Sequence, residues 1–82
     1  MFESITKRQL QEIEGSAILS TVEFHRVLEK YTGIEARPYK AYQYFDSCGN
    51  YLGDSGDSSL EGLLEAACIK VVDDDAVNPS RT

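Results

Sequence analysis

Residues 20–33 read Ser-Thr-Val-Glu-Phe-His-Arg-Val-Leu-Glu-Lys-Tyr-Thr-Gly and form the strongest helix signal in the chain. Ser20 and Glu23 have the spacing of a capping box, in which each side chain accepts a hydrogen bond from the other residue's backbone N–H. Gly33 stands where a left-handed residue commonly ends a helix. Apolar side chains recur on one face at helical spacing, at Ala17, Phe24, Val27, Leu28 and Tyr31. We therefore expect this helix to form one side of the core.

A first helix is predicted upstream of this stretch. Thr6 and Gln9 make a second capping box, so the helix is expected to start at Thr6. Gly15 interrupts the apolar pattern, and residues 15–19 are either a connection or a kink in one longer helix. Two separate start signals favour two helices, of which the first is short.

The following segment is rich in aromatic residues and predicts a β-hairpin. Pro38 lacks a backbone donor and prevents a helix from crossing it. Tyr39–Asp46 is then expected to be a strand, because aromatic side chains fit a pleated surface. Residues 46–50 contain turn-forming residues, and Tyr51–Gly53 returns as a second strand.

Alternation along the first hairpin strand separates its aromatic side chains. Phe45 is expected to face the core, whereas Tyr42 and Tyr44 point to the opposite, partly covered face.

A third helix and a third strand complete the predicted fold. Ser58 and Glu61 make a third capping box, and apolar residues follow at helical spacing, at Leu60, Leu63, Leu64 and Ala67. Ile69–Val72 is rich in β-branched residues and predicts a strand.

The predicted order is α-α-β-β-α-β in one small α+β domain spanning residues 1–75. Placing the first strand between the other two makes every neighbouring pair antiparallel, which gives the order 2-1-3 with the helices on one face. Residues 76–82 are expected to be a frayed or disordered tail.

Charge and hydropathy narrow the range of functions. The chain has 82 residues and a net charge of −6, and residues 34–82 hold nine acids against four bases. This balance argues against direct binding of nucleic acid and favours a basic protein partner. No apolar run approaches the roughly 20 residues that cross a bilayer, and no secretory signal is visible. We expect a cytoplasmic protein without a membrane partner, either monomer or homodimer.

No motif predicts catalysis, a cofactor or a metal site. The two cysteines, Cys48 and Cys68, and the single histidine, His25, do not reach the four ligands of a structural zinc site, and free thiols are expected. Residues 53–56, Gly-Asp-Ser-Gly, resemble the nucleophile segment of chymotrypsin-like serine proteases, but that family needs a far larger double barrel. His25 is expected to pack at the edge of the core. We therefore predict no enzymatic activity and no cofactor.

The tyrosines are the most suggestive feature for function. Five occur in the chain, and four of them lie between positions 39 and 51. Tyrosine is enriched at the energetic centres of protein interfaces. Together with nearby aspartates, the predicted hairpin offers an acidic and aromatic binding surface formed by Tyr42, Tyr44, Asp46, Tyr51, Asp54 and Asp57.

In size and charge the chain resembles small acidic accessory proteins of phages and other mobile elements, which often inhibit host enzymes by binding them. The resemblance implies an inhibitor or adaptor that binds a basic protein, such as a nucleic-acid-binding one. One alternative is a self-associating structural subunit that uses Ile18, Val22 and the sheet face. Another is a helix-turn-helix-like DNA-binding regulator with residues 21–30 as its recognition helix, offering His25, Arg26 and Lys30.

Overall fold

A computed structural model describes residues 3–74 of the chain. The predicted α+β class is confirmed, and the tail predicted at residues 76–82 lies outside the described residues. The elements in chain order are β1 (Ser4–Thr6), α1 (Lys7–Leu19), α2 (Thr21–Thr32), β2 (Glu35–Arg37), β3 (Gln43–Phe45), β4 (Tyr51–Asp54), α3 (Leu60–Ala66) and β5 (Lys70–Val72).

Two helices form the N-terminal half, as the two start signals predict. The extended backbone of Ser20, with φ −172° and ψ 160°, separates α1 from α2, and its hydroxyl accepts a hydrogen bond from the Glu23 amide at 3.1 Å. Gly33 ends α2 in the left-handed conformation, with φ 73°. The prediction of a short first helix is wrong, because α1 continues through Gly15 to Leu19.

The capping signals are accurate to within one residue. Thr6 and Gln9 form the predicted capping box, with hydrogen bonds of 3.1 and 3.0 Å. The predicted cap of α3 at Ser58 is wrong by one position, because the Ser59 hydroxyl accepts from the Gly62 amide at 3.1 Å. Ser58 instead belongs to the preceding turn, where its amide donates to the Asp54 carbonyl at 2.9 Å.

The strands form two sheets rather than the single predicted one. β2, β3 and β4 make an antiparallel sheet in that order, which confirms the hairpin. The extent predicted for its first strand, Tyr39–Asp46, is wrong, because β3 covers only Gln43–Phe45. β5 pairs with β1 in parallel, in the register Ser4↔Lys70, Ile5↔Val71 and Thr6↔Val72. The predicted order 2-1-3 is therefore wrong. The predicted third strand, Ile69–Val72, corresponds to β5 and pairs with β1, a strand that the sequence pattern does not predict. The position beside β3 that the prediction gives to this strand is held by β2.

A single cluster of buried side chains joins the helices to both sheets, and the buried polar groups inside it are satisfied. The Thr32 hydroxyl donates to the Leu28 carbonyl and accepts from the Ile34 amide, and the Ser16 hydroxyl donates to the Ile13 carbonyl. Ala17, predicted on the core face, is exposed. The cluster consists of Ile5, Ile13, Val27, Leu28, Ile34, Tyr44, Leu63, Leu64 and Ile69.

Within residues 3–74, none of the helices combines the length and the apolar character needed to cross a membrane.

Candidate functional site

The outward side of the β3–β4 hairpin carries two aromatic rings in contact. Phe45 and Tyr51 are opposite each other on neighbouring strands, with ring centroids 5.7 Å apart in an edge-to-face arrangement. Tyr51 is 56% exposed, and Phe45 is half-buried. Cross-strand aromatic pairs of this kind stabilise a sheet.

A local irregularity in the hairpin produces this pairing. Gln43 pairs with Asp54 and Tyr44 with Gly53, so a regular ladder would place Leu52 opposite Phe45. The register shifts between Tyr44 and Phe45, and Tyr51 becomes the partner of Phe45 instead. An extra residue of this kind bends the strand and redirects side chains. Leu52, released from that position, packs against the core.

Two aspartates bring negative charge to the rim of Tyr51. The Tyr51 hydroxyl donates a hydrogen bond to the Asp54 carboxylate, which is the main cause of a raised Tyr51 pKa. Burial and the negative charges of Asp54 and Asp57 raise the pKa of Tyr51 further. Asp57 lies in the turn that follows β4, where its amide donates a hydrogen bond to the Asp54 carbonyl at 3.1 Å. We call Phe45, Tyr51, Asp54 and Asp57 the hairpin surface.

Arg37 closes one side of the hairpin surface. Its guanidinium lies 4.1 Å from the centroid of the Phe45 ring, and its Nε donates to the Glu35 carboxylate at 2.8 Å. The Phe45 face is thus already occupied by a cation of the chain itself, whereas Tyr51 remains open. Sequence reasoning missed Phe45 and Arg37, because it placed Phe45 on the core face.

The assignment of the two hairpin faces from alternation is therefore reversed. Tyr44 is 4% exposed and lies in the core, and Tyr42 is half-buried beside it. The prediction that these tyrosines point away from the helices is wrong, because α2 covers this side of the sheet. The His25 Nε2 atom lies 3.0 Å from the Tyr44 hydroxyl, and the His25 ring contacts Tyr42 edge-on at 4.4 Å.

His25, Tyr42 and Tyr44 form an aromatic cluster through which α2 contacts the three-stranded sheet. The prediction that His25 packs at the edge of the core is confirmed. Burial lowers the pKa of His25 below its usual value and raises the pKa of Tyr44, with the nearby Tyr42 adding to the latter shift. Both shifts favour neutral side chains, which suits a structural contact between helix and sheet.

The Asp46 carboxylate accepts hydrogen bonds from residues of the turn in which it lies. Its Oδ1 atom accepts from the amides of Cys48 and Asn50, each at 2.9 Å, and its Oδ2 atom accepts from the Asn50 side chain at 3.1 Å. These hydrogen bonds, that from the Asn50 backbone first, lower the pKa of Asp46. Of the six residues predicted as a binding surface, three come together on the outward side of the hairpin: Tyr51, Asp54 and Asp57.

The basic residues predicted for a DNA-reading helix are engaged elsewhere. His25 faces the tyrosines, and the Arg26 guanidinium donates two hydrogen bonds to Glu23, at 3.1 and 2.7 Å. Lys30 lies 5.3 Å from the ring centroid of its neighbour Tyr31.

A second exposed feature lies where α1 meets α2. Ile18, Leu19 and Val22 are 87%, 75% and 71% exposed, respectively. We call these three residues the apolar corner. Ile18 and Val22 lie off the apolar stripe that the sequence predicts for the core, and both are exposed to solvent in the structure.

Within the described range, no group of three or more His, Cys, Asp or Glu side chains is arranged to hold a metal ion.

Comparison of the chain with models of protein families, with curated proteins and with solved structures finds no match.

Proposed function

We propose that the protein is a non-enzymatic binding module, an inhibitor or adaptor, whose hairpin surface binds a basic protein partner in the cytoplasm. The observation that carries the proposal is Tyr51, an exposed ring with Asp54 on its hydroxyl and the charge of Asp57 beside it. An aromatic ring next to carboxylates suits the lysine and arginine side chains of a partner, which are attracted by both.

The chemistry of recognition follows from the groups left free. A partner guanidinium can stack on the Tyr51 face in the way that Arg37 of this chain lies over Phe45. The Asp57 carboxylate is exposed and can accept hydrogen bonds from the same or a second basic side chain. The net charge of −6 adds long-range attraction, which speeds encounter with a basic protein and weakens as salt is added.

The test compares capture of basic proteins from a lysate by immobilised variants of the full chain. Tyr51→Ala and Asp57→Lys are each expected to reduce recovery of the partner at least about tenfold, as loss of a central interface residue does. The matched controls are Tyr39→Ala, which removes an exposed tyrosine outside the hairpin surface, and Glu14→Lys, which changes the net charge equally on α1.

The controls separate local recognition from general attraction. Recovery should survive both control substitutions, and the melting temperatures of Asp57→Lys and of the two controls should match that of the unmodified chain. Tyr51→Ala is expected to lower the melting temperature modestly, because it removes the Phe45–Tyr51 pair, so its recovery is measured well below its own melting temperature. If Glu14→Lys and Asp57→Lys lower recovery of the partner equally, the interaction depends on net charge and not on the hairpin surface. Unchanged recovery with Tyr51→Ala and Asp57→Lys would remove the proposal.

A second candidate function, self-association as a structural subunit, is favoured by the apolar corner. Ile18, Leu19 and Val22 are adjacent in sequence around the α1–α2 junction and are all largely exposed. Sedimentation at micromolar concentration should show a dimer that Ile18→Asp abolishes and Ala17→Asp, at a neighbouring exposed position, leaves intact. A strict monomer at all concentrations removes this candidate.

A further inference from the structure

The two cysteines of the chain line one cavity although they lie in different parts of the fold. The cavity measures about 250 Å³. Cys48, in the β3–β4 turn, forms one wall together with Asp46 and Ser47, and Cys68, at the corner between α3 and β5, lies in the wall formed by residues 67–69. Both cysteines are free and exposed.

The backbone fixes the position of each cysteine. The Cys48 amide donates to the Asp46 carboxylate at 2.9 Å, and Gly49, with φ 88°, completes the turn by donating to the Asp46 carbonyl at 3.0 Å. Among residues 3–74, Cys68 is the one non-glycine residue with positive φ, at 59°. This left-handed conformation is costly for an L-residue and redirects the chain from α3 into β5.

We propose that Cys48 and Cys68 form a thiol pair that low-molecular-weight disulfides carrying amino groups oxidise to an intramolecular disulfide. One cysteine thiolate attacks a sulfur of the reagent, breaks its S–S bond and releases one thiol. The other thiolate attacks the protein sulfur of this mixed disulfide, forms the Cys48–Cys68 bond and releases the second thiol. The protein loses two electrons and two protons, and the reagent is reduced to two thiols.

The charge of the cavity selects the reagent. Glu3 and Asp46 line the same space, so a reagent with ammonium groups is attracted, whereas an anionic disulfide such as oxidised glutathione is repelled. Because the Cβ atoms of a disulfide lie about 4 Å apart, the bond holds the exposed 46–50 turn against residues 67–69. The bond then ties the three-stranded sheet to the β1–β5 sheet. No residue of the hairpin surface takes part, so this site stands apart from the proposed binding function.

The experiment treats the reduced full chain with cystamine, a disulfide of two aminothiols, and follows the products by mass spectrometry after acid quenching. The native protein should yield a species without adduct, lighter by two hydrogen atoms, whose tryptic map contains linked Cys48 and Cys68 peptides. Cys48→Ser and Cys68→Ser should each stop at one mixed disulfide. Both residues are exposed, and serine retains the size of the side chain.

Two comparisons decide the outcome. The effective concentration of one thiol at the other should be at least about tenfold higher in the native chain than in urea, where a flexible segment alone joins them. Cystamine should also close the bond faster than oxidised glutathione, with a difference that shrinks in high salt. Stable adducts on both cysteines, or closure no more favourable than in urea, would overturn the proposal.

Discussion

Replacing Gly53 by alanine tests the geometry that builds the hairpin surface. Gly53 pairs with Tyr44 in β4 and has φ 140°, a conformation that side-chain-bearing residues rarely adopt. An added Cβ atom would lie 2.1 Å from the Ser58 hydroxyl oxygen and 3.4 Å from the Ser58 Cβ atom. Glycine therefore lets the 54–58 turn, which carries Asp54 and Asp57, fold back against the strand.

The expected cost has two parts. A non-glycine residue in this region of backbone space costs on the order of 1–3 kcal/mol. The contact with Ser58 is relieved when its hydroxyl turns away from its rotamer, at about 0.5–1.5 kcal/mol, because the Cβ–Cβ distance of 3.4 Å is itself tolerable. We expect Gly53→Ala to lower the free energy of unfolding by roughly 1.5–4.5 kcal/mol, the sum of the two parts and a large share of the 5–15 kcal/mol typical of a domain.

Urea denaturation followed by circular dichroism measures this difference directly. Gly53→Ala combined with Ser58→Ala should recover only the side-chain part, because the backbone strain remains. Gly49→Ala provides a control with positive φ and no atom within 4 Å of the added Cβ, so it reports backbone strain alone. A loss below about 1 kcal/mol for Gly53→Ala would refute the close approach of turn and strand. Full recovery in the double variant would instead refute the backbone-strain part of the expected cost.

Two further predictions concern α2 and α3. Burial lowers the pKa of His25 in the folded state, so protonation of His25 favours the unfolded chain. Neutral His25 therefore stabilises the fold above the unfolded-state pKa near 6.5, and this stabilisation is lost as the pH falls below that pKa. Urea denaturation between about pH 7.5 and about pH 5.5 should show this loss, and His25→Gln should flatten it; an unchanged slope contradicts the assignment. Ser59→Ala should lower the free energy of unfolding by about 1 kcal/mol through loss of the α3 cap, whereas Ser58→Ala should lower it far less. Thermal melting of the two variants measures the difference. A larger loss for Ser58→Ala than for Ser59→Ala would contradict the structure.

Local signals in the sequence predict the helices well because the chemistry of a cap is local. Ser20, Thr6 and Gly33 act within three or four residues, and each caps its helix as predicted. The reciprocal half of the Ser20–Glu23 capping box does not form, because the Glu23 carboxylate accepts hydrogen bonds from Arg26 instead.

The helix break predicted at Gly15 does not occur. Glycine within a helix costs about 1 kcal/mol, and packing of the residues before and after Gly15 outweighs this cost. Ile13 and Ser16, which flank it, are buried.

Strand pairing is less predictable, because its partners are distant in sequence. β1 and β2 are three residues long, and alternation over so few residues, Ser-Ile-Thr and Glu-Ala-Arg, does not distinguish a strand from a loop. The pairing of Ser4–Thr6 with Lys70–Val72 depends on the whole chain being folded. Alternation correctly separates Tyr44 from Phe45, but it cannot tell which face the helices cover. For the candidate site, Tyr51, Asp54 and Asp57 stay predictions, whereas the face assigned to Tyr42 and Tyr44 is wrong.

The exposure of Tyr51, on the same hairpin as the buried Tyr44, originates in the register shift. In a ladder without a register shift, Leu52 would face Phe45, and Tyr51 would be on the other face, towards the helices. The extra residue sends Leu52 to the core and brings Tyr51 outward beside Phe45, at the cost of an irregular ladder. An apolar Leu52 could have covered Phe45 without this irregularity. The register shift thus exposes the ring of Tyr51, with Asp54 on its hydroxyl, and this exposed ring is the feature on which the proposed binding function depends.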